Sequence, residues 1–142
     1  MKINDVVKEA EYADILLALL SEPYQILSVT KLIFISFIVN HEINLASYRN
    51  RSKDFVDIFF ENISLKLETD YKDIIKIVHV IDMLVKTNKI KVEGDKIELI
   101  KKIEHKSEND FLKMCAGKIP NPILEINKLD SLAVIEEVIR YV

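Results

Sequence analysis

The spacing of apolar residues changes once from a helical to an alternating period, within residues 69–100. The first part predicts a helix, with Asp70 as a candidate N-cap and Asp73 near the positive end of the helix dipole. Asn88 lies where a helix commonly ends in a left-handed residue. One face of this helix is expected to be buried, and it carries Ile74, Val78, Ile81 and Leu84 or Val85.

Residues 90–99 predict two short strands joined by a tight turn at Gly94 and Asp95. Apolar and charged residues alternate on both sides of this turn, and a two-residue turn sets the register of the hairpin. The register pairs Ile90 with Leu99, Lys91 with Glu98, Val92 with Ile97, and Glu93 with Lys96. Apolar residues then face each other, as do opposite charges. A helix followed by such a hairpin predicts the second half of a winged-helix domain.

Three helices are predicted before this point. The first begins at Asn4 or Asp5 and ends near Ser21, because Pro23 prevents its continuation. Its main buried stripe is expected to be Val6, Ala10, Ala13, Leu17 and Leu20, widened by Ile15, Leu16 and Leu19. The second is Val29–His41 with Ser28 as N-cap. Its propensity also fits a buried strand. Its length, its cap and its all-round apolarity favour a central core helix. The third runs from residue 53 to about residue 67, with a stripe of Phe55, Ile58, Phe59, Asn62, Ile63 and Leu67.

The segment after residue 106 predicts further helices. Ser107 and Asp110 resemble a capping box for a short helix over residues 108–116, closed by Gly117. Pro120 and Pro122 favour an extended crossing. Asp130 or Ser131 caps a last helix, whose inward residues are expected to be Leu132, Ile135, Val138, Ile139 and Val142. The predicted fold is therefore mainly α with a small β-hairpin: a winged-helix-like domain over residues 1–106 and a C-terminal helical extension over residues 107–142, packed on the same domain.

Composition narrows the function classes. The 142 residues are 49% apolar and 30% charged, which suits one globular domain. The two glycines, Gly94 and Gly117, lie too far apart for a P-loop or a dinucleotide fingerprint. One cysteine, Cys115, excludes an internal disulfide framework and fits a cytoplasmic protein. No signal core is visible at the N-terminus, and the longest apolar run is too short to cross a membrane.

No catalytic or metal-binding set emerges from the motifs. The three histidines are scattered, and none has a His or Cys partner at a spacing that metals use. His79 and Asp82 are three apart on the predicted helix, which favours a surface or interface pair over a ligand pair. The Glu104-His105-Lys106 string resembles part of a metal-dependent nuclease core, but a two-stranded hairpin is not the mixed sheet that such a core uses. We therefore expect a non-enzymatic chain without a cofactor, with a small nuclease as the least favoured alternative.

Two small basic clusters are candidate contacts for DNA or for a protein partner. Arg49, Arg51 and Lys53 form one of them, and Lys89, Lys91 and Lys96 of the hairpin form the other. A DNA-binding winged-helix regulator is the alternative that these clusters support. The net charge of −3 and the six acids within residues 54–73 oppose it, because DNA readers usually present a strong basic face.

A surplus of apolar residues favours a protein partner instead. Phe55, Phe59 and Phe60 cannot all lie on one narrow helix face. The long helix that follows is similar, with apolar residues spread around it at Ile74, Ile75, Ile77 and Val78. Some of these residues are expected to fill the core, which is the ordinary outcome for a small domain. The remainder predict an apolar patch that a coiled coil or a second copy of the chain would cover.

The order of these segments resembles a known family. The chain has an N-terminal helix with the sequence EYADILL at residues 11–17, a very apolar helix entered by SVTKL at residues 28–32, and a basic link, YRNR, at residues 48–51. Two helices and a short charged wing follow. Over residues 4–103 this resembles the middle components of bacterial ABC-three-component systems, some of which act in Lamassu-like defence against phages and plasmids.

The resemblance implies an accessory subunit without catalytic activity. Such a subunit binds an SMC-like ATPase and couples it to an effector protein. A homodimer and contact with DNA through the complex are further expectations, and no membrane partner is expected. The resemblance transfers no individual functional residue, because its motifs are patterns of apolar and polar positions.

Overall fold

The computed structural model describes residues 3–41, 55–117 and 120–141. These residues are mainly helical with one small antiparallel hairpin, as predicted. The elements are α1 Ile3–Leu20, α2 Val29–His41, α3 Phe55–Asp70, α4 Lys72–Lys86, β1 Ile90–Glu93, β2 Lys96–Leu99, α5 Asp110–Cys115, α6 Pro122–Asn127 and α7 Ser131–Tyr141.

Helix α2 lies at the centre of the fold, as its all-round apolarity predicted. It packs against α1, α3, α4, α5 and α7. Phe37 is fully buried, and Leu32, Ile35, Ile38 and Val39 are buried with it. The predicted N-cap is confirmed, because the Ser28 hydroxyl accepts a hydrogen bond from the Lys31 N–H at 3.2 Å. The helix therefore begins where the sequence indicated, and it is helical over the whole predicted range.

The predicted start of α4 was wrong. Asp70 does not cap this helix; it is the last residue of α3, and α4 begins two residues later with Tyr71 at its N-cap position. Tyr71 has helical dihedral angles and makes no capping hydrogen bond through its side chain. Residues 55–86 thus form two helices with one residue, Tyr71, between them. The first helix continues through Asp70, the residue that was predicted to cap the second.

The hairpin has the predicted register. Ile90 pairs with Leu99, Lys91 with Glu98, Val92 with Ile97, and Glu93 with Lys96. Asn88 ends α4 with φ at +59°, and Gly94 begins the turn with the same angle. Ile90 and Ile97 are buried, whereas Val92 is exposed. In the Val92–Ile97 pair, only Ile97 therefore contacts the core.

A short segment before α2 joins the edge of the hairpin. Ser28 forms an isolated antiparallel bridge with Lys96 of β2. The Ile97 N–H donates to the Leu27 carbonyl at 3.1 Å, and the Val29 N–H donates to the Asp95 carbonyl at 2.8 Å. The segment and the two strands thus lie side by side, with β2 in the middle.

The C-terminal segment differs from its prediction in two places. The cap of α5 is Asn109, whose side chain accepts from the Leu112 N–H, rather than Ser107. Pro122 begins a short helix, α6, where an extended crossing was predicted. Proline is well accommodated at the first position of a helix, because the N–H that it lacks has no partner there. Both α6 and α7 pack against α3.

Several helices bury a face that only partly matches the one predicted. In α1, the predicted Leu20 and the widening residues Ile15, Leu16 and Leu19 are buried, whereas the predicted Val6 and Ala10 are exposed. Tyr12 and Ala18 are buried as well. In α4, Val78 and Val85 are exposed, and the buried residues are Asp73, Ile77, Val80, Ile81 and Leu84. In α7, Leu132, Ile135 and Ile139 are exposed, and Val134 joins the predicted Val138 in the core. Each helix carries apolar residues on two faces, and the neighbouring elements select one.

The third helix, α3, extends past its predicted end near residue 67 to Asp70, and its predicted start at residue 53 lies outside the described residues. Its expected core residues Ile58, Phe59 and Ile63 are buried, and Phe60 is buried as well. No helix in the part of the chain that the structure describes has the length and apolarity needed to cross a membrane.

Candidate interaction surface

The three hairpin lysines of the predicted contact set lie on the surface. Lys89, Lys91 and Lys96 are all exposed. The Lys91 ammonium is 4.0 Å from a carboxylate oxygen of Glu93, two residues along the same strand, rather than beside its cross-strand partner Glu98. The other predicted cluster, Arg49, Arg51 and Lys53, lies outside the described residues. The structure therefore places half of the predicted contact set, and that half is accessible.

The hairpin is held to the N-terminus of α2 by its turn residue Asp95. The Asp95 carboxylate accepts from the Ser28 hydroxyl at 2.6 Å, from the Thr30 N–H at 2.9 Å and from the Thr30 hydroxyl at 2.7 Å. Partial burial alone would raise the pKa of Asp95, but these hydrogen bonds outweigh it and lower the pKa below its ordinary value. The hairpin therefore has a fixed position on the helical body.

The outer face of α4 carries a narrow apolar stripe, which we term the α4 seam. Tyr71 is 56% exposed, Ile75 69%, Val78 49% and Val85 37%. Together with Asp82, these residues follow one another at alternating intervals of four and three. Such a spacing forms a straight seam along one side of a helix. The helical period placed Val78, and Leu84 or Val85, on the buried face, whereas the spread of Ile75 and Val78 around the helix predicted exposed apolar residues.

Three basic side chains run beside the α4 seam. Lys72, His79 and Lys86 each follow a seam residue and are spaced by seven. A His79 ring nitrogen lies 2.6 Å from a Glu9 carboxylate oxygen of α1, and Lys86 forms an ion pair with Asp82 at 2.8 Å. The predicted His79–Asp82 pair is therefore not formed, because each residue has another partner. Lys72 is exposed and has no ion pair within the described residues.

The outer face of α7 also exposes apolar side chains. Leu132, Ile135 and Ile139 lie on its solvent side. The apolar surplus that the sequence predicted is thus present on α4, at Ile75 and Val78, and it extends to α7, whereas Phe59 and Phe60 of α3 are buried.

A buried polar cluster joins α1, α2 and α4 below the N-terminus of α4. The Asp73 carboxylate is 6% exposed; it accepts from the Tyr12 hydroxyl at 2.7 Å and lies 3.0 Å from His41 Nε2. Burial and the hydrogen bond to Asp73 raise the pKa of Tyr12. Burial and the charge of Lys8 lower the pKa of His41, although Asp73 opposes them. These groups satisfy one another, so the cluster serves helix packing.

Ser107, His105 and Asp14 also lie close together, but not in the order of a catalytic triad. The Ser107 hydroxyl donates to the Asp14 carboxylate at 2.6 Å, and His105 Nε2 lies 2.7 Å from the other Asp14 oxygen. A triad requires the serine hydroxyl to donate to the histidine. Here both side chains bind the carboxylate and fasten the segment before α5 to α1. Within residues 3–41, 55–117 and 120–141, no cluster of three His, Cys, Asp or Glu residues is arranged for a metal ion.

Comparisons of the chain with models of known protein families, with curated proteins and with solved structures find no match.

Proposed function

We propose that this chain is a non-catalytic winged-helix accessory subunit of a cytoplasmic, bacterial SMC-like ATPase complex, acting in anti-phage or anti-plasmid defence. The ATPase and an effector protein are the proposed partners. The observation that carries the proposal is the α4 seam. In a winged helix the helix before the hairpin holds the recognition position, and here that helix presents Ile75 and Val78 to solvent.

The winged-helix assignment is supported by the order of the elements. A short segment at Ser28 lies between α1 and α2 and pairs with β2, while α4 leads directly into β1. This order resembles a winged helix with one added helix. The Asp95 contacts hold the hairpin against the N-terminus of α2, as a wing is held against the helical body of a winged helix.

A protein partner fits the α4 seam better than a nucleic acid does. Exposed isoleucine and valine gain free energy by burial against another apolar surface. They gain nothing beside a phosphate backbone, which binds cations and hydrogen-bond donors. An apolar recognition helix is therefore suited to docking on another protein.

Co-expression with an SMC-like ATPase of the proposed three-component type tests the proposal. We expect the two proteins to co-elute in size-exclusion chromatography and to give a complex in native mass measurement. The same measurement on the chain alone reports whether it forms a homodimer. Two species that migrate independently at micromolar concentration would reject the proposal.

DNA binding is a second candidate function, because Lys89, Lys91 and Lys96 are exposed on the wing. A gel-shift series with duplex DNA at increasing salt separates it from the first. Binding through phosphates must weaken steeply as salt rises. A Lys91→Glu and Lys96→Glu double variant would then bind less DNA. Absence of any shift at low salt would reject this candidate.

A further inference from the structure

The α4 seam has the geometry of one half of a two-helix interface. Its members Tyr71, Ile75, Val78, Asp82 and Val85 repeat every 3.5 residues on average. This spacing keeps a second helix in contact at a shallow crossing angle over several turns. A partner that docks through a globular surface would require a broad or irregular apolar patch on this chain. The narrow seam therefore favours a single helix as its occupant.

The basic row beside the seam indicates the charge of that helix. Lys72, His79 and Lys86 occupy the position next to the seam that forms ion pairs across a coiled coil. Lys89 continues the basic character past the end of α4, and Asp82 is the one acid on the outer face of this helix. A partner helix with glutamate or aspartate along its flank therefore complements this face, and one with lysine or arginine is repelled.

Asp82 disfavours a second copy of the chain as the occupant. In a parallel pair of α4 helices, Asp82 would face its own copy, and two carboxylates at such a site repel each other. In an antiparallel pair centred on Val78, Asp82 would face Ile75 of the other copy. Both arrangements bury a carboxylate without a partner from the second helix, which costs free energy. A different helix can place a basic or polar residue opposite Asp82.

We propose that the α4 seam binds one amphipathic helix of a partner protein, with an acidic flank and a basic or polar residue opposite Asp82. This deepens the proposed function and rests on it, since it states the chemistry that the partner must present. Asp82 then fixes the register of the two helices, as single polar residues do in coiled coils.

Two synthetic helices provide the probe. Both are about four heptads long, carry isoleucine and leucine along one seam, and have a single lysine at a central seam position. One has glutamate at its flanking positions and the other has lysine, so like charges keep each peptide monomeric. We expect the glutamate peptide to bind the full chain at least about tenfold more tightly than the lysine peptide at low salt, and added salt to reduce this ratio.

A matched pair of variants locates the binding face. Ile75 on α4 is 69% exposed and Ile139 on α7 is 71% exposed. Ile75→Gln should weaken binding of the glutamate peptide about tenfold. Ile139→Gln makes the same change on another helix and should leave binding unchanged. Because both side chains are exposed, thermal unfolding should confirm that both variants keep the fold.

Charge reversal of the basic row tests complementarity. A Lys72→Glu and Lys86→Glu double variant should lose its preference for the glutamate peptide and bind the lysine peptide more tightly than the original chain does. Equal binding of the two peptides, no binding of either, or an Ile75→Gln variant that binds normally would overturn the inference. Tighter binding to duplex DNA than to either peptide would overturn it as well.

The outcomes separate this inference from the proposed function. If the ATPase co-elutes with the Ile75→Gln variant as well as with the original chain, the accessory role stands and the α4 seam is not the docking face. If the glutamate peptide binds but the ATPase does not co-elute, the seam binds such a helix and the proposed complex is wrong.

Discussion

The Asp95 carboxylate accepts a hydrogen bond from the Ser28 hydroxyl at 2.6 Å, across 67 positions of sequence. Asp95 is the second turn residue of the hairpin, and Ser28 is the N-cap of α2. The same Ser28 oxygen accepts from the Ser131 hydroxyl at 2.9 Å. One serine therefore connects the hairpin, the central helix α2 and the start of α7. This connection fixes the position of the hairpin relative to the helical body that carries the α4 seam.

Replacement of Asp95 should weaken the attachment of the hairpin to helix α2. Asp95→Ala removes the acceptor of the Ser28 hydroxyl, the Thr30 hydroxyl and the Thr30 N–H. We expect a loss of about 1–2 kcal/mol in the free energy of unfolding, the range found for helix N-caps. Urea unfolding followed by circular dichroism measures this loss. Glu98→Ala, an exposed change in the same hairpin, is the control, and an equal effect of the two variants would contradict the role of Asp95.

Stability should fall with acid in two steps. The pKa of His41 is lowered below its ordinary value of 6.5 by burial and by Lys8, so the folded state takes up a proton less readily than the unfolded state. The free energy of unfolding therefore decreases as pH falls below 6.5. The pKa of Asp14 is also lowered, since hydrogen bonds from Ser107, His105 and the Glu108 N–H outweigh its partial burial. Stabilisation by Asp14 and Asp95 is lost as pH falls below 3.8 through their folded pKa values.

Chemical unfolding at a series of pH values measures both steps. His41→Gln should flatten the upper step, and Asp14→Asn should reduce the lower one. An original chain whose stability is constant between about pH 7 and pH 5 would contradict the assignment to His41.

A β-branched residue at Gly94 should strain the turn. Gly94 has φ at +59°, and a side chain added there would meet no heavy atom within 4 Å. The cost of Gly94→Val thus comes from the backbone, and we expect about 1–2 kcal/mol of destabilisation. Thermal unfolding measures it. Lys96→Val, an exposed strand position beside the turn, should have little effect; a tolerated Gly94→Val would show that the turn adopts another conformation.

Cys115 should be inert in the folded protein. Its thiol is fully buried, and burial raises the pKa of Cys115 to about 12. The thiolate is the reactive form, so its population at neutral pH is about a thousandfold smaller than that of an ordinary thiol. We expect an aromatic disulfide reagent to label Cys115 only after guanidinium is added. Rapid labelling of the native chain would contradict this burial.

The sequence by itself determined the elements that depend on local chemistry. The period of apolar residues, the Ser28 cap and the proline after α1 predicted α1 and α2 closely. Alternation around Gly94 predicted the complete hairpin register, because a two-residue turn leaves only one way to pair the strands. Asn88 ended α4 as expected, since asparagine tolerates a left-handed conformation.

Only the tertiary structure decided which side of each helix is buried. Helix α4 carries Ile74, Ile77, Val80, Ile81 and Leu84 on one side and Ile75, Val78 and Val85 on another, and α7 is similarly two-sided. The helical period alone does not distinguish two overlapping stripes; the packing of α4 against α1 and α2, and of α7 against α3, leaves one stripe in solvent. The pairing of Asp95 with Ser28 was also beyond local rules, because a contact across 67 residues exists only once the chain has folded.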